Sequence, residues 1–214
     1  MPITTVIFDL DGTLLYTLED LTDSTNRTLK HFGYPERSID EVRSFVGNGV
    51  PLLIERAIPS GIKNPYYSEC LEFFKQDYSQ NMYNKTKPYD EIIEVLIELK
   101  KNSYKLAVVS NKFDSAVKEL CKNYFNDLID IAVGQKEGIA KKPSPDVVYE
   151  VLNRLNVKED ECVFIGDSEV DIQTANNANI ASISVTWGYK TPEFLYNNGA
   201  EVLVYTPKEL LELL

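Results

Sequence analysis

The first apolar run of the chain, Val6-Ile7-Phe8, is short, rich in β-favouring residues and halted by Asp9. A buried parallel strand behaves this way at its carboxyl end. Runs of the same kind recur at 106–109, 129–133, 163–165 and 180–185, and more weakly at 202–204. Between them the apolar positions adopt helical spacing: Ile92, Leu96 and Leu99; Val117, Leu120 and Cys121; Val148, Leu152 and Leu155. Strands alternating with amphipathic helices predict an α/β fold, a doubly wound, Rossmann-like parallel sheet covered on both faces.

One interval breaks the alternation. Over 16–85 only helical periodicity is present, with Leu18, Leu21, Thr25, Leu29 and Phe32 on one helix face and Tyr67, Leu71, Phe74 and Tyr78 on another. Ser38 and Glu41 form a capping-box pattern ahead of Ile39, Val42 and Phe45; Gly47 is placed to stop that helix and Pro51 to begin the next. A span this long exceeds what a crossover connection needs. The expected organisation is therefore an α/β core made of 1–15 and 86–214, with 16–85 inserted as an all-helical cap domain.

Ligands of an open α/β sheet bind outside the carboxyl ends of its strands, so the residues following each apolar run carry the chemistry. They read Asp9-Leu10-Asp11-Gly12-Thr13, Ser110-Asn111-Lys112 and Gly166-Asp167-Ser168-Glu169-Val170-Asp171, with Lys142 in the loop Lys141-Lys142-Pro143-Ser144-Pro145. Asp9, Asp11 and Asp167 together would repel one another unless a cation neutralised them. An incomplete set of hard oxygen ligands suits Mg²⁺, which also binds phosphate oxygens. Asp9 is then the candidate nucleophile toward phosphorus. Asp11, beside it in the same acidic site, is the candidate acid/base. Ser110 and Asn111 can hydrogen-bond phosphoryl oxygens, and Lys142 can supply positive charge to them and to Asp9. Gly12 permits a sharp turn close to the phosphate, and Thr13 is expected to bond the Asp9 loop.

Composition narrows the partners. With 22 basic and 33 acidic residues the net charge is −11, a field that repels nucleic acid and anionic membranes. Three scattered cysteines, Cys70, Cys121 and Cys162, match neither a disulfide framework nor a zinc site. The N-terminus lacks a signal-peptide pattern, and no apolar stretch is long enough to span a bilayer. A cytoplasmic protein acting on a small phosphorylated molecule, as monomer or homodimer, is expected.

These motifs, DLDGTL from Asp9, VVSN ending at Asn111, KPSP from Lys142 and GDSEVD from Gly166, resemble the haloacid dehalogenase superfamily, specifically members with a helical cap after the first motif. The resemblance implies an aspartyl-phosphate on Asp9 and acid/base work by Asp11. It also implies Mg²⁺ held by the Asp9 carboxylate, the Asp11 backbone carbonyl and Asp167, with Asp171 in support. FVGNG at 45–49 is similar to the cap of phosphoglycolate phosphatases, which implies that Gly47 and Asn48 contact substrate. Where many relatives have Asp-Ser after the first motif, this chain has Tyr16-Thr17.

The implied activity is hydrolysis of a small phosphorylated metabolite, with 2-phosphoglycolate the leading substrate. A phosphomutase of the β-phosphoglucomutase type and a pyrophosphatase or nucleotidase of the same superfamily are the alternatives. Carbon–halogen hydrolysis is disfavoured by Asp11, and a silent binding module by the completeness of the motifs. His31, Trp187, Phe73, Phe74 and Tyr78 are read as packing or surface residues.

Overall fold

The computed structural model describes residues 2–214. In chain order the elements are β1 (Thr5–Phe8), β2 (Leu15–Tyr16), α1 (Leu18–His31), α2 (Ile39–Phe45), α3 (Val50–Ala57), α4 (Tyr67–Asn81), β3 (Lys87–Pro88), α5 (Ile92–Lys101) and β4 (Lys105–Phe113). They continue with α6 (Asp114–Phe125), β5 (Ile131–Gln135), α7 (Asp146–Leu155), β6 (Cys162–Gly166), α8 (Glu169–Asn177), β7 (Ala181–Val185), α9 (Pro192–Asn197), β8 (Leu203–Val204) and α10 (Leu210–Leu213).

Six strands form one sheet in the order β5-β4-β1-β6-β7-β8, and every pairing is parallel. All four residues of β1 and all five of β6 are buried, which is why their centres, Val6-Ile7-Phe8 and Val163-Phe164-Ile165, read as unbroken apolar runs rather than alternating ones. On one face Ile7, Val109, Val133 and Phe164 pack with Val148, Val151 and Leu152 of α7 and Ala175 of α8. After β1 the chain builds β4 and β5 on one side, then β6, β7 and β8 on the other. That reversal beside β1 opens a crevice at the carboxyl ends of the central strands.

The chain divides into two compact units, Met1–Leu15 with Pro88–Leu214, and Tyr16–Lys87. The second is helical. Its interior contains Leu18, Leu21, Leu29, Val42, Leu53, Ile54, Cys70, Phe74 and Tyr78, with Phe74 and Tyr78 stacked at 5.5 Å between ring centroids. α1 also buries several hydroxyls, and it satisfies them internally: Thr22, Thr25 and Thr28 donate to the carbonyls of Leu18, Leu21 and Ser24 at 2.7, 2.7 and 2.8 Å. Arg27 of α1 grips Asp77 of α4 through Nε at 2.8 and 2.9 Å.

Ser38 caps α2 as expected, exchanging hydrogen bonds with Glu41. Two details depart from the sequence expectation. α3 begins at Val50, so Pro51 occupies its second position, where a missing N–H is equally harmless. The two-residue strands β2 and β3, too short to show any periodicity, pair with each other at the two ends of the helical unit. Close to one of those ends, buried Asp20 of α1 accepts hydrogen bonds from Lys85 N, Thr86 N and Thr86 Oγ1, the last two at 2.8 Å.

No helix among the described residues is long and apolar enough to cross a membrane. The three cysteines are unbridged and buried. His31 is exposed and stacks on Phe73.

Candidate active site

Asp9 leaves the sheet still tethered to it, because its N–H donates to Ile165 O of β6 at 2.8 Å. The backbone then turns tightly: Leu14 N and Leu15 N both donate to Leu10 O, at 3.0 and 2.9 Å. Gly12, at φ +88°, makes that turn, and a Cβ there would lie 2.4 Å from Asp167 Oδ2. Only glycine combines this backbone with so close an approach to a carboxylate.

Lys142 is the hub. Its Nζ lies 2.8 Å from Asp9 Oδ1 and 2.7 Å from Asp171 Oδ1, and the ammonium sits 5.2 Å from the centroid of the Phe164 ring. Lys142 and Asp171 are each only 2% exposed, so the pairs act without bulk-water screening. Asp171 is used on both oxygens, since Oδ2 accepts from Ser168 N at 3.1 Å and Ser168 Oγ at 2.6 Å. Asn111 Nδ2 donates to Lys142 O at 3.0 Å, joining the end of β4 to the lysine loop, and the Lys142–Pro143 bond is cis.

Asp167 follows β6. Its Oδ2 accepts from Tyr189 N at 2.7 Å, and Oδ1 from Thr13 Oγ1 at 3.4 Å. Thr13 thus reaches Asp167 rather than the Asp9 loop, because the turn at Gly12 lays that loop directly against Asp167. Trp187, expected as packing, also donates through Nε1 to Thr13 O at 3.0 Å.

Ser110 and Asn111 lie inside β4, which continues past the apolar run to Phe113. The ladder shifts register between Val109 and Phe113, so polar residues continue the strand through an irregularity that no hydrophobic pattern signals. The next residue, Lys112, has no role assigned by the sequence pattern. Its Nζ lies 3.1 Å from Asp11 Oδ1. Gly47 and Asn48 belong to the helical unit, between α2 and α3, where Gly47 adopts φ +112°.

Three buried carboxylates, those of Asp9, Asp167 and Asp171, bring oxygens within 4.8 Å of one another, with Lys142 the one ammonium in hydrogen-bond contact with any of them among the described residues. The surplus of negative charge has a visible cost. Burial pushes Asp9 up to about 7; Lys142 opposes this, while Asp171 and Asp11 add to it. Asp167 is held well above the usual carboxylate range by burial and then by Asp171 and Asp9, against the Tyr189 N–H. Burial disfavours the charge on Lys142, yet Asp171 and Asp9 outweigh it and keep the ammonium protonated. A compact, oxygen-only, over-acidic cluster of this kind can hold a hard divalent cation.

Comparison with known proteins gives a consistent result. Residues 6–185 match the family described as haloacid dehalogenase-like hydrolase. The phosphoglycolate phosphatase of Aquifex aeolicus is 31% identical over 97% of this chain and 98% of its own length. That of Colwellia psychrerythraea is 32% identical over 96% of this chain and 94% of its own. A solved structure from Lactobacillus delbrueckii subsp. bulgaricus, provisionally named a phosphoglycolate phosphatase, superposes with a TM-score of 0.95 at 36% identity, covering 100% of this chain and 98% of that one. The chain belongs to the haloacid dehalogenase-like hydrolase family.

Proposed function

We propose that this phosphatase hydrolyses a small phosphate monoester through an aspartyl-phosphate on Asp9, with Mg²⁺ as its cation and 2-phosphoglycolate as its substrate. The observation that carries the reading is the contact of Lys142 Nζ with Asp9 Oδ1 at 2.8 Å, beside the acidic cluster of Asp9, Asp167 and Asp171. A carboxylate whose one oxygen is held by a fixed ammonium presents the other for attack in a defined direction.

In the first step an Asp9 oxygen bonds to phosphorus, the bond from phosphorus to the alcohol oxygen breaks, and Asp11 delivers a proton to the departing alcohol. In the second, water attacks the same phosphorus, Asp11 takes up the proton, and phosphate departs from a restored Asp9. Ser110, Asn111 and Lys142 bind the non-bridging oxygens and stabilise the charge that they carry in transfer. Asp9, Asp167 and the Asp11 carbonyl would hold Mg²⁺, with Asp171, bound by Lys142 and Ser168, in support. When bound, the ion neutralises the cluster and polarises the phosphoryl group. Phosphoglycolate is the proposed substrate because the chain is similar to phosphoglycolate phosphatases, and Gly47 and Asn48 are the residues proposed to read its organic part.

The test is a panel of phosphoglycolate, sugar phosphates, nucleotides and pyrophosphate, assayed with Mg²⁺ and after chelation. Phosphoglycolate is expected to give the highest kcat/KM, with phosphate released in the absence of any sugar bisphosphate and activity lost in EDTA. A higher kcat/KM on pyrophosphate or a nucleotide, or a requirement for a bisphosphate activator, would overturn the substrate; full activity after exhaustive chelation would overturn the cation.

A further inference from the structure

Lys112 is a lysine buried to 4% exposure at the irregular end of β4, outside the hydrogen bonds that the reaction scheme uses. Two features show that its place is built. Its backbone N–H donates to Ser110 Oγ at 3.2 Å. Across the sheet, β5 carries Gly134, where a Cβ would lie 2.6 Å from Lys112 O and 2.6 Å from Asp114 Cα; Gly134 N in turn donates to Asp114 Oδ1 at 2.9 Å. The chain from the Lys112 carbonyl to Asp114 is thus clamped to a neighbouring strand at a point that only glycine admits. From this anchored backbone the side chain reaches Asp11, with Nζ 3.1 Å from Oδ1 and side-chain exposures of 2% and 12% for the two partners. A buried, low-exposure ion pair of this kind fixes a carboxylate far more tightly than a surface pair does.

We propose that Lys112 is a positioning residue for the leaving-group side of the reaction: by holding the Asp11 carboxylate through its ammonium, it sets the geometry in which Asp11 exchanges a proton with the ester oxygen. This rests on the acid/base reading of Asp11 given above. It separates two lysines by task. Lys142 serves the nucleophile and the phosphoryl group; Lys112 serves the group that departs. A general acid matters most when the leaving oxygen is a poor one, because a stable anion departs without a proton. The signature of Lys112 is accordingly a dependence on the leaving group rather than a uniform loss.

The experiment compares Lys112→Met, Lys112→Arg, Asp11→Asn and the wild-type full-length enzyme with Mg²⁺, on an alkyl phosphate and on p-nitrophenyl phosphate. The readout is kcat/KM, which reports steps up to alcohol release, and the pre-steady-state burst of nitrophenol. For Lys112→Met, kcat/KM on the alkyl ester should fall about 10²-fold while that on the nitrophenyl ester stays within about threefold, and a burst should appear because hydrolysis of the acyl-phosphate also uses Asp11. Lys112→Arg keeps the charge but its planar fork shifts the carboxylate, so it should show the same bias at about tenfold; this milder variant decides the matter if the Met variant does not fold. Equal losses on both esters, a change confined to KM, or unchanged rates in Lys112→Arg would overturn the proposal. Absence of leaving-group bias in Asp11→Asn would instead remove the acid/base reading beneath it, a result distinguishable because it does not depend on any change at Lys112.

Discussion

Replacing Asp9 by asparagine should lower kcat/KM by a factor on the order of 10⁴ or more while leaving the fold in place. The change is isosteric and removes the attacking oxyanion together with one carboxylate of the cation cluster. Its effect on stability should run the opposite way in the metal-free protein. Burial holds Asp9 up to about 7, so the folded state binds this proton more tightly than the unfolded chain, and the stability that it contributes is present at low pH and lost as pH rises through that value. The asparagine amide cannot ionise. The metal-free variant should therefore melt at or above the wild-type temperature at pH 8, with a smaller advantage at pH 5. Thermal denaturation at the two pH values, beside steady-state kinetics, checks both halves; a variant that unfolds at pH 8 would show that its lost activity says nothing about nucleophilicity.

Lys142→Met should be costly in both respects. It removes the ammonium that bridges Asp9 and Asp171 and leaves two buried carboxylates without their partner. Breaking a buried pair from one side costs roughly 3–5 kcal/mol. At about 2–4 °C for each kcal/mol in a chain of this size, the expected fall in Tm is roughly 6–20 °C. Turnover should fall on the order of 10²–10³-fold through loss of charge stabilisation in transfer. Added Mg²⁺ should recover part of the stability, because a cation can take over some of the neutralisation, but little of the rate. Circular-dichroism melts with and without Mg²⁺ decide this. A variant that melts within a degree of wild type would mean that the acidic cluster does not depend on Lys142.

The sheet is readable from sequence because its physics is local. Strands buried on both faces, such as Thr5–Phe8 and Cys162–Gly166, carry unbroken apolar runs, Val6-Ile7-Phe8 and Val163-Phe164-Ile165, and polar residues follow those runs at the sheet edge, so one short window of sequence reveals both the strand and its functional edge. The helices of the inserted segment are readable for the same reason, through the spacing of Leu18, Leu21, Thr25 and Leu29 and the cap at Ser38. What escapes is non-local or too short. The pairing of Leu15–Tyr16 with Lys87–Pro88 has no period to detect.

The partnership of Asp11 with Lys112 spans the gap between two strand ends, and no window contains both residues. The same holds for Asp20 with Thr86. The close approach that requires Gly134 is a property of two strands rather than of one. Thr13 shows how a correct neighbourhood can still mislead in detail: its hydroxyl does lie in the loop that the motif indicates, but the acceptor nearest to it comes from the end of β6, and chain order alone does not say which of the converging acids lies closest.

The claim on which the chemistry depends is that phosphorus becomes covalently attached to Asp9. Acid-quenching the enzyme within a turnover of a reactive phosphate ester, followed by proteolysis and mass spectrometry, tests it most directly. The expected result is a phosphorylated peptide carrying Asp9, labile to hydroxylamine and missing from Asp9→Asn. Phosphate recovered on another side chain, or turnover with no protein-bound phosphate even in a variant slowed in the second step, would contradict it.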